Sequence, residues 1–209
     1  MNFYTPYLSE AAGHNESTWT AIETYLARAE ELGVTINYAL NHLCGGADNG
    51  GCGKDKAALI RTEVQRVKRF KSIGMWYISD EPDGNHVPPA DFAAAAAVIR
   101  ACDSPNSRPI SVVLDGATNQ TRALPYAMAV DIMMADPYPI GHTSLHEDGL
   151  PGGRVGDVSI ATDAVVDLIR TATKRDGRAR QAVMVPQAFG ALGSSWGRNP
   201  TRLEGRVMV

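Results

Sequence analysis

The sequence predicts an α/β protein built on a parallel sheet. Two observations carry that reading: short apolar or β-branched runs alternate with longer stretches of helical period, and most of those runs end on a polar or acidic residue. Six strand-helix units can be drawn, with strands expected at 3–8, 35–40, 74–79, 109–114, 131–135 and 182–187.

The connections justify themselves in turn. After the first strand, Ile22, Tyr25, Leu26, Ala29 and Leu32 recur at helical spacing, Thr20 and Glu23 can form a capping box, and Gly33 can end the helix. Ile60, Val64, Val67 and Phe70 mark one apolar face in the next connection, with Lys and Arg on the other. The Ala-rich stretch 91–102 follows Pro88-Pro89, a favourable helix start, and places Cys102 as a small core residue. A shorter helix is expected over 121–128, and a longer one over 162–174 turns Val165, Leu168, Ile169 and Ala172 inward.

Six units are two short of a closed (β/α)8 barrel of about 250 residues. The expectation is therefore an incomplete TIM (β/α)8 barrel, one partial domain over 1–209 with outer helices and its first and last βα units missing. An open doubly wound sheet is the competing architecture.

Composition narrows the function classes. A formal charge of -3 with both signs mixed along the chain offers no basic stripe for a nucleic-acid backbone. No apolar run approaches the roughly 20 residues of a membrane span, so neither nucleic acid nor membrane is an expected partner. Met1 to Glu16 lacks the basic and apolar regions of a signal peptide, although an extracellular or periplasmic location is expected for the full-length protein. Oligomeric state is not readable. Cys44 and Cys52 flank a Gly-rich loop and either close a ring or stay as thiols; a zinc site with His42 lacks a fourth ligand. No cofactor or metal is expected.

Active sites of parallel α/β folds form at the C-terminal ends of the strands. The polar residues there are Asn41 and His42, Asp80 and Glu81, Asp115, Asp136, and Gln187. Asp115 before Gly116 and Asp136 before Pro137 also read as turn formers, Asp80 as a buttress of its loop, and His42 as a structural histidine. Glu81 carries the most chemistry. A strand-end carboxyl fixed by Pro82 beside Asp80 has its pKa raised by like charge and partial burial, as a general acid requires. Its bland alternative is a surface loop glutamate.

The stretch Gly74-Met-Trp-Tyr-Ile-Ser-Asp-Glu-Pro-Asp83 resembles the fourth strand of the retaining glycoside hydrolase clan with a (β/α)8 barrel. Asp103-Ser-Pro-Asn-Ser-Arg-Pro109, Asp136-Pro-Tyr-Pro139, Gln187-Ala-Phe189, Arg198-Asn-Pro-Thr201 and Glu204 are similar to later landmarks of glycosidase-like barrel proteins. The resemblance implies that Glu81 is the acid/base, with Asp80 where the clan has asparagine. It also maps the clan's nucleophilic glutamate onto Gln187, which cannot form a glycosyl ester; Glu204 lies 17 residues further on, in an apparent helix.

Asp136 is then the best second carboxyl, expected within about 10 Å of Glu81, the reach of an inverting pair. Tyr138, Trp196 and Tyr4 offer faces for sugar stacking. The leading reading is a glycoside hydrolase acting on carbohydrate, with Glu81 and Asp136 catalytic and Asp80, Asn41, Tyr138 and Gln187 binding substrate. A non-catalytic carbohydrate-binding barrel, with Gln187 in place of the nucleophile, is the alternative. A metal-assisted hydrolase using Asp80, Glu81, Asp115 and Asp136 is a third, lacking the usual histidine cluster.

Overall fold

A computed structural model describes residues 3–4, 15–45, 52, 56–115, 119–137, 157–185 and 202. Six parallel strands, β1 (Phe3–Tyr4), β2 (Thr35–Ala39), β3 (Ile73–Asp80), β4 (Ile110–Val113), β5 (Ile132–Ala135) and β6 (Gln181–Met184), lie side by side in sequence order. Every neighbouring pair is parallel. That order, with a helix between each pair of neighbours, is a partial (β/α)8 barrel; a doubly wound sheet would reverse its strand order at a switch point.

The strands alternate between two cores. Ala39, Met75, Tyr77, Val113, Ile132 and Met134 pack together with Val183 on the inner face. Ile36, Tyr38, Leu40, Trp76, Ile78, Ile110, Val112 and Met133 face the helices in the larger core. The inner face also carries a polar contact, Ser111 Oγ donating to Asn37 Oδ1 at 2.9 Å and to the Trp76 carbonyl at 3.2 Å.

Helix α1 (Glu16–Glu31) starts four residues before Thr20. Its N-cap is Asn15, whose side chain accepts the Thr18 N–H at 3.0 Å. The capping box expected at Thr20 and Glu23 is therefore corrected. Thr20 bonds the Glu16 carbonyl within the helix and Glu23 pairs with Arg66, because Asn15 satisfies the free amides first. Gly33 ends the helix at φ 65, as its position predicts.

Helix α2 (Lys56–Val67) buries Ile60, Val64 and Val67, and α3 (Pro89–Asp103) follows Pro88. Helix α4 (Gln120–Ala127) is capped by the Asn119 side chain, and α5 (Asp157–Asp176) turns Val165, Leu168 and Ala172 into the outer core. No helix of the described residues is long and apolar enough to cross a membrane.

The segment 103–109 is a structural joint. Asp103, only 1% exposed, accepts Arg108 Nη1 at 2.6 Å and the Arg108 amide at 2.8 Å. The same guanidinium donates to the Lys68 and Phe70 carbonyls at 2.9 and 3.2 Å, tying the end of α3 to the loop before β3. Removing one partner of such a pair leaves a buried charge uncompensated. Asp103→Ala is expected to lower the unfolding free energy by about 3 to 5 kcal/mol in a urea titration; a loss under about 1 kcal/mol would assign the joint no weight in stability.

Candidate active site

Parallel strands point all their carboxyl ends at one rim, and the alternation of the inner core decides which side chains look into it. On β4 the inner set runs Ser111, Val113 and then Asp115; on β5 it runs Ile132, Met134 and then Asp136. Strand β3 is less regular. Its register against β4 shifts between Tyr77 and Ser79, so that Asp80 comes level with inner-facing Val113. The Tyr77 hydroxyl accordingly donates to Asp80 Oδ1 at 2.5 Å.

Glu81 follows in the left-handed region, at φ 45. For a residue with a side chain that conformation is uncommon and needs its surroundings to hold it. Here its N–H donates to the Val113 carbonyl at 3.1 Å, and its own carbonyl accepts the Asn85 amide at 2.8 Å. Asn85 Nδ2 further donates to the Asp80 carbonyl at 3.1 Å, so the tight turn after β3 is bonded on both sides of Glu81.

Four carboxyl groups surround this one. Burial first, then the charges of Asp136, Asp115, Asp80 and Asp83 in that order, push the Glu81 carboxyl up from 4.5 to about 8. The acid is therefore protonated through neutral pH. Asp83 itself is 2% exposed, accepts the Asp115 amide at 3.1 Å, and lies with its Oδ2 3.6 Å from Arg122 Nε. Arg122 Nη2 also reaches Asp115 Oδ2 at 3.1 Å.

The structure thus brings Asp80, Glu81, Asp115 and Asp136 to one mouth. Asn41 is half-buried just past the end of β2, where its Oδ1 is withdrawn from solvent with no hydrogen-bond partner among the described residues. Tyr138 and Gln187, like Trp196 and Glu204, lie outside the described residues, as does the side chain of Tyr4.

His42 belongs elsewhere. Its Nε2 lies 3.0 Å from Glu63 Oε2 of α2, and the other carboxylate oxygen accepts the Tyr38 hydroxyl at 3.0 Å, behind the sheet. Burial and the Glu63 charge hold the Tyr38 phenol well above its ordinary range. Cys44 and Cys52 are joined in a disulfide, which with the turned-away histidine removes the zinc arrangement. Among the described residues no group of three or more His, Cys, Asp or Glu has metal-holding geometry, which counts against the four-carboxylate metal site.

Asp83, Arg122 and Glu63 escaped the sequence reading. Asp83 follows Glu81-Pro82 and was within the quoted motif, but nothing local distinguishes a buried turn aspartate from an exposed one. Arg122 and Glu63 sit on helices where charge ordinarily marks the solvated face.

No family profile and no curated protein matches the sequence. Among solved structures the chain is similar to the glycoside hydrolase family 17 β-1,3-glucanosyltransferase from Rhizomucor miehei, at 11% identity and a TM-score of 0.57 over 88% of this chain and 62% of that one. An active-site mutant of the Rhizomucor miehei β-1,3-glucanosyltransferase in complex with laminaritriose aligns at 11% identity and a TM-score of 0.56, over 93% and 66%. The chain spans about 62% of the length of the first of these enzymes. At such identity the likeness is one of fold: this is the α/β fold of a partial (β/α)8 barrel.

The raised Glu81 pKa has a consequence for stability. A carboxyl whose folded pKa lies above its ordinary value of 4.5 stabilises the fold only while protonated, so its contribution is complete below that value and is lost as pH rises through about 8. Glu81→Gln keeps the neutral form at every pH. Urea midpoints of the two proteins should therefore converge near about pH 4 and separate in favour of the variant by about pH 9. A difference independent of pH would return Glu81 to the ordinary carboxyl range.

Proposed function

We propose that the protein is a glycoside hydrolase acting on O-glycosidic bonds of a carbohydrate, with Glu81 as general acid/base and Asp136 as base or transition-state stabiliser. The observation that carries the reading is the Glu81 carboxyl, held protonated near neutral pH at the strand-end rim by burial and by the charge of Asp136. Two carboxyls with divided roles, one protonated and one ionised, are what cleavage of an acetal requires.

Glu81 gives its proton to the glycosidic oxygen as the bond to the anomeric carbon breaks. Asp136 stabilises the positive charge that develops on that carbon, or takes the proton of the water that attacks it. Asp80 has one oxygen occupied by the Tyr77 hydroxyl and offers the other to a sugar hydroxyl. Asn41, half-buried just past β2, is assigned to substrate binding at the same rim. Gln187 and Tyr138 are assigned to substrate binding, the first as a hydrogen-bonding group and the second as a stacking face. The glucanosyltransferase likeness makes laminari-oligosaccharides the first substrates to try.

Glu81→Gln is expected to reduce turnover of an unactivated oligosaccharide by about 100- to 10,000-fold, and by less for aryl glycosides with good leaving groups. Wild-type turnover should fall as pH rises through about 8, where the acid loses its proton. Equal turnover by both proteins would remove Glu81 from the mechanism. Oligosaccharide binding by calorimetry with no cleavage of any glycoside would instead identify a carbohydrate-binding barrel.

A further inference from the structure

We propose that Arg122 and Tyr126, one helical turn apart on α4, are positioning residues that clamp the two ends of the turn carrying Glu81. The inference rests on the glycosidase reading for its kinetic consequence, but not for its geometry.

Residues four apart on a helix present side chains to the same neighbour. Arg122 meets the start of the turn, where Asp83 Oδ2 lies 3.6 Å from its Nε and Asp115 Oδ2 accepts its Nη2 at 3.1 Å. Tyr126 meets the end, its hydroxyl donating to the Val87 carbonyl at 2.5 Å while its ring packs edge-on against Phe92, with centroids 5.3 Å apart. Burial and then the Asp83 carboxylate push the Tyr126 phenol up, so it stays a donor. The helix itself is fixed at this end by Asn119, which accepts the Arg122 amide at 3.2 Å.

The turn also closes on itself across the Asp83 anchor, Asn85 N–H to the Glu81 carbonyl at 2.8 Å and Val87 N–H to the Pro82 carbonyl at 3.0 Å. It also lies close to the Asp115 side chain just past β4: a Cβ on Gly84 would stand 2.7 Å from Asp115 Oδ2. The left-handed Glu81 therefore heads a segment whose position against the sheet is set from α4.

The clamp acts on charge as well. Glu81 is faced by Asp80 and Asp83 of its own turn, by Asp115 past β4 and by Asp136 past β5, all raising its pKa. Tyr77 donates to Asp80, Asn41 past β2 is neutral, and among the described residues Arg122 brings a positive charge to Asp83 and Asp115. Loss of that cation leaves two of the four carboxylates less compensated and drives the Glu81 proton on more firmly.

The test is a carboxyl-carbon NMR titration of Glu81 in the whole chain, paired with laminari-oligosaccharide hydrolysis. Arg122→Met should raise the Glu81 midpoint by about half a unit or more and lower kcat by about 10- to 100-fold, with KM little changed. Arg122→Lys keeps the charge but not the fork, and should restore the midpoint while recovering only part of kcat. Tyr126→Phe removes one hydroxyl and should lower kcat with the midpoint unmoved; together with Arg122→Lys it carries the test if Arg122→Met does not fold. Folded variants that keep both midpoint and kcat overturn the proposal. A shifted midpoint in a protein that hydrolyses no glycoside supports the clamp and removes the glycosidase reading.

Discussion

The arrangement at the strand ends depends on one electrostatic constraint: a carboxyl partly withdrawn from water and surrounded by four others cannot share their ionisation. Glu81 resolves it by keeping its proton. Parallel topology makes the constraint unavoidable, because every strand delivers its last residues to the same rim. Two of the four neighbours, Asp115 and Asp136, follow the inner face of their strands. Asp80 reaches it through an irregularity in β3 that shifts register by one position.

Holding those charges together falls to the elements outside the mouth. Asp83 is buried against the Asp115 amide and Arg122, which offsets two acidic groups at once. Among the described residues the inner face below is largely apolar, with the Asn37 to Ser111 and Tyr77 to Asp80 contacts as its polar features.

Much of this was legible in the sequence. The alternation of period gave six strands in their correct order, since β-branched and apolar runs are long enough to stand apart from the helical stretches. Glu81 stood out because Asp and Pro flank it, and both features act in the structure, the one through charge and the other through a fixed turn. The start of α1 was misread: Asn15 caps it with no local apolar signal, whereas Thr20 and Glu23 imitate a cap inside the helix. The Asp83 to Arg122 contact spans 39 positions between a turn and a helix face, and the His42 to Glu63 contact spans 21; periodicity cannot see either. Gln187 was read from its strand-end position and from resemblance, Tyr138 as an aromatic face beside Asp136, and both lie outside the described residues.

A carboxyl pushed up to about 8 makes Glu81 a neutral acid in the folded protein at physiological pH. An infrared difference spectrum between wild type and Glu81→Gln, recorded near about pH 7, reads that state directly, because protonated and ionised carboxyls absorb in separate regions. The account predicts a protonated-carboxyl C=O band in the wild type that disappears in the variant. Ionised-carboxylate bands lost in its place would contradict it, and would leave Glu81 one more charge at the rim rather than the acid of the site.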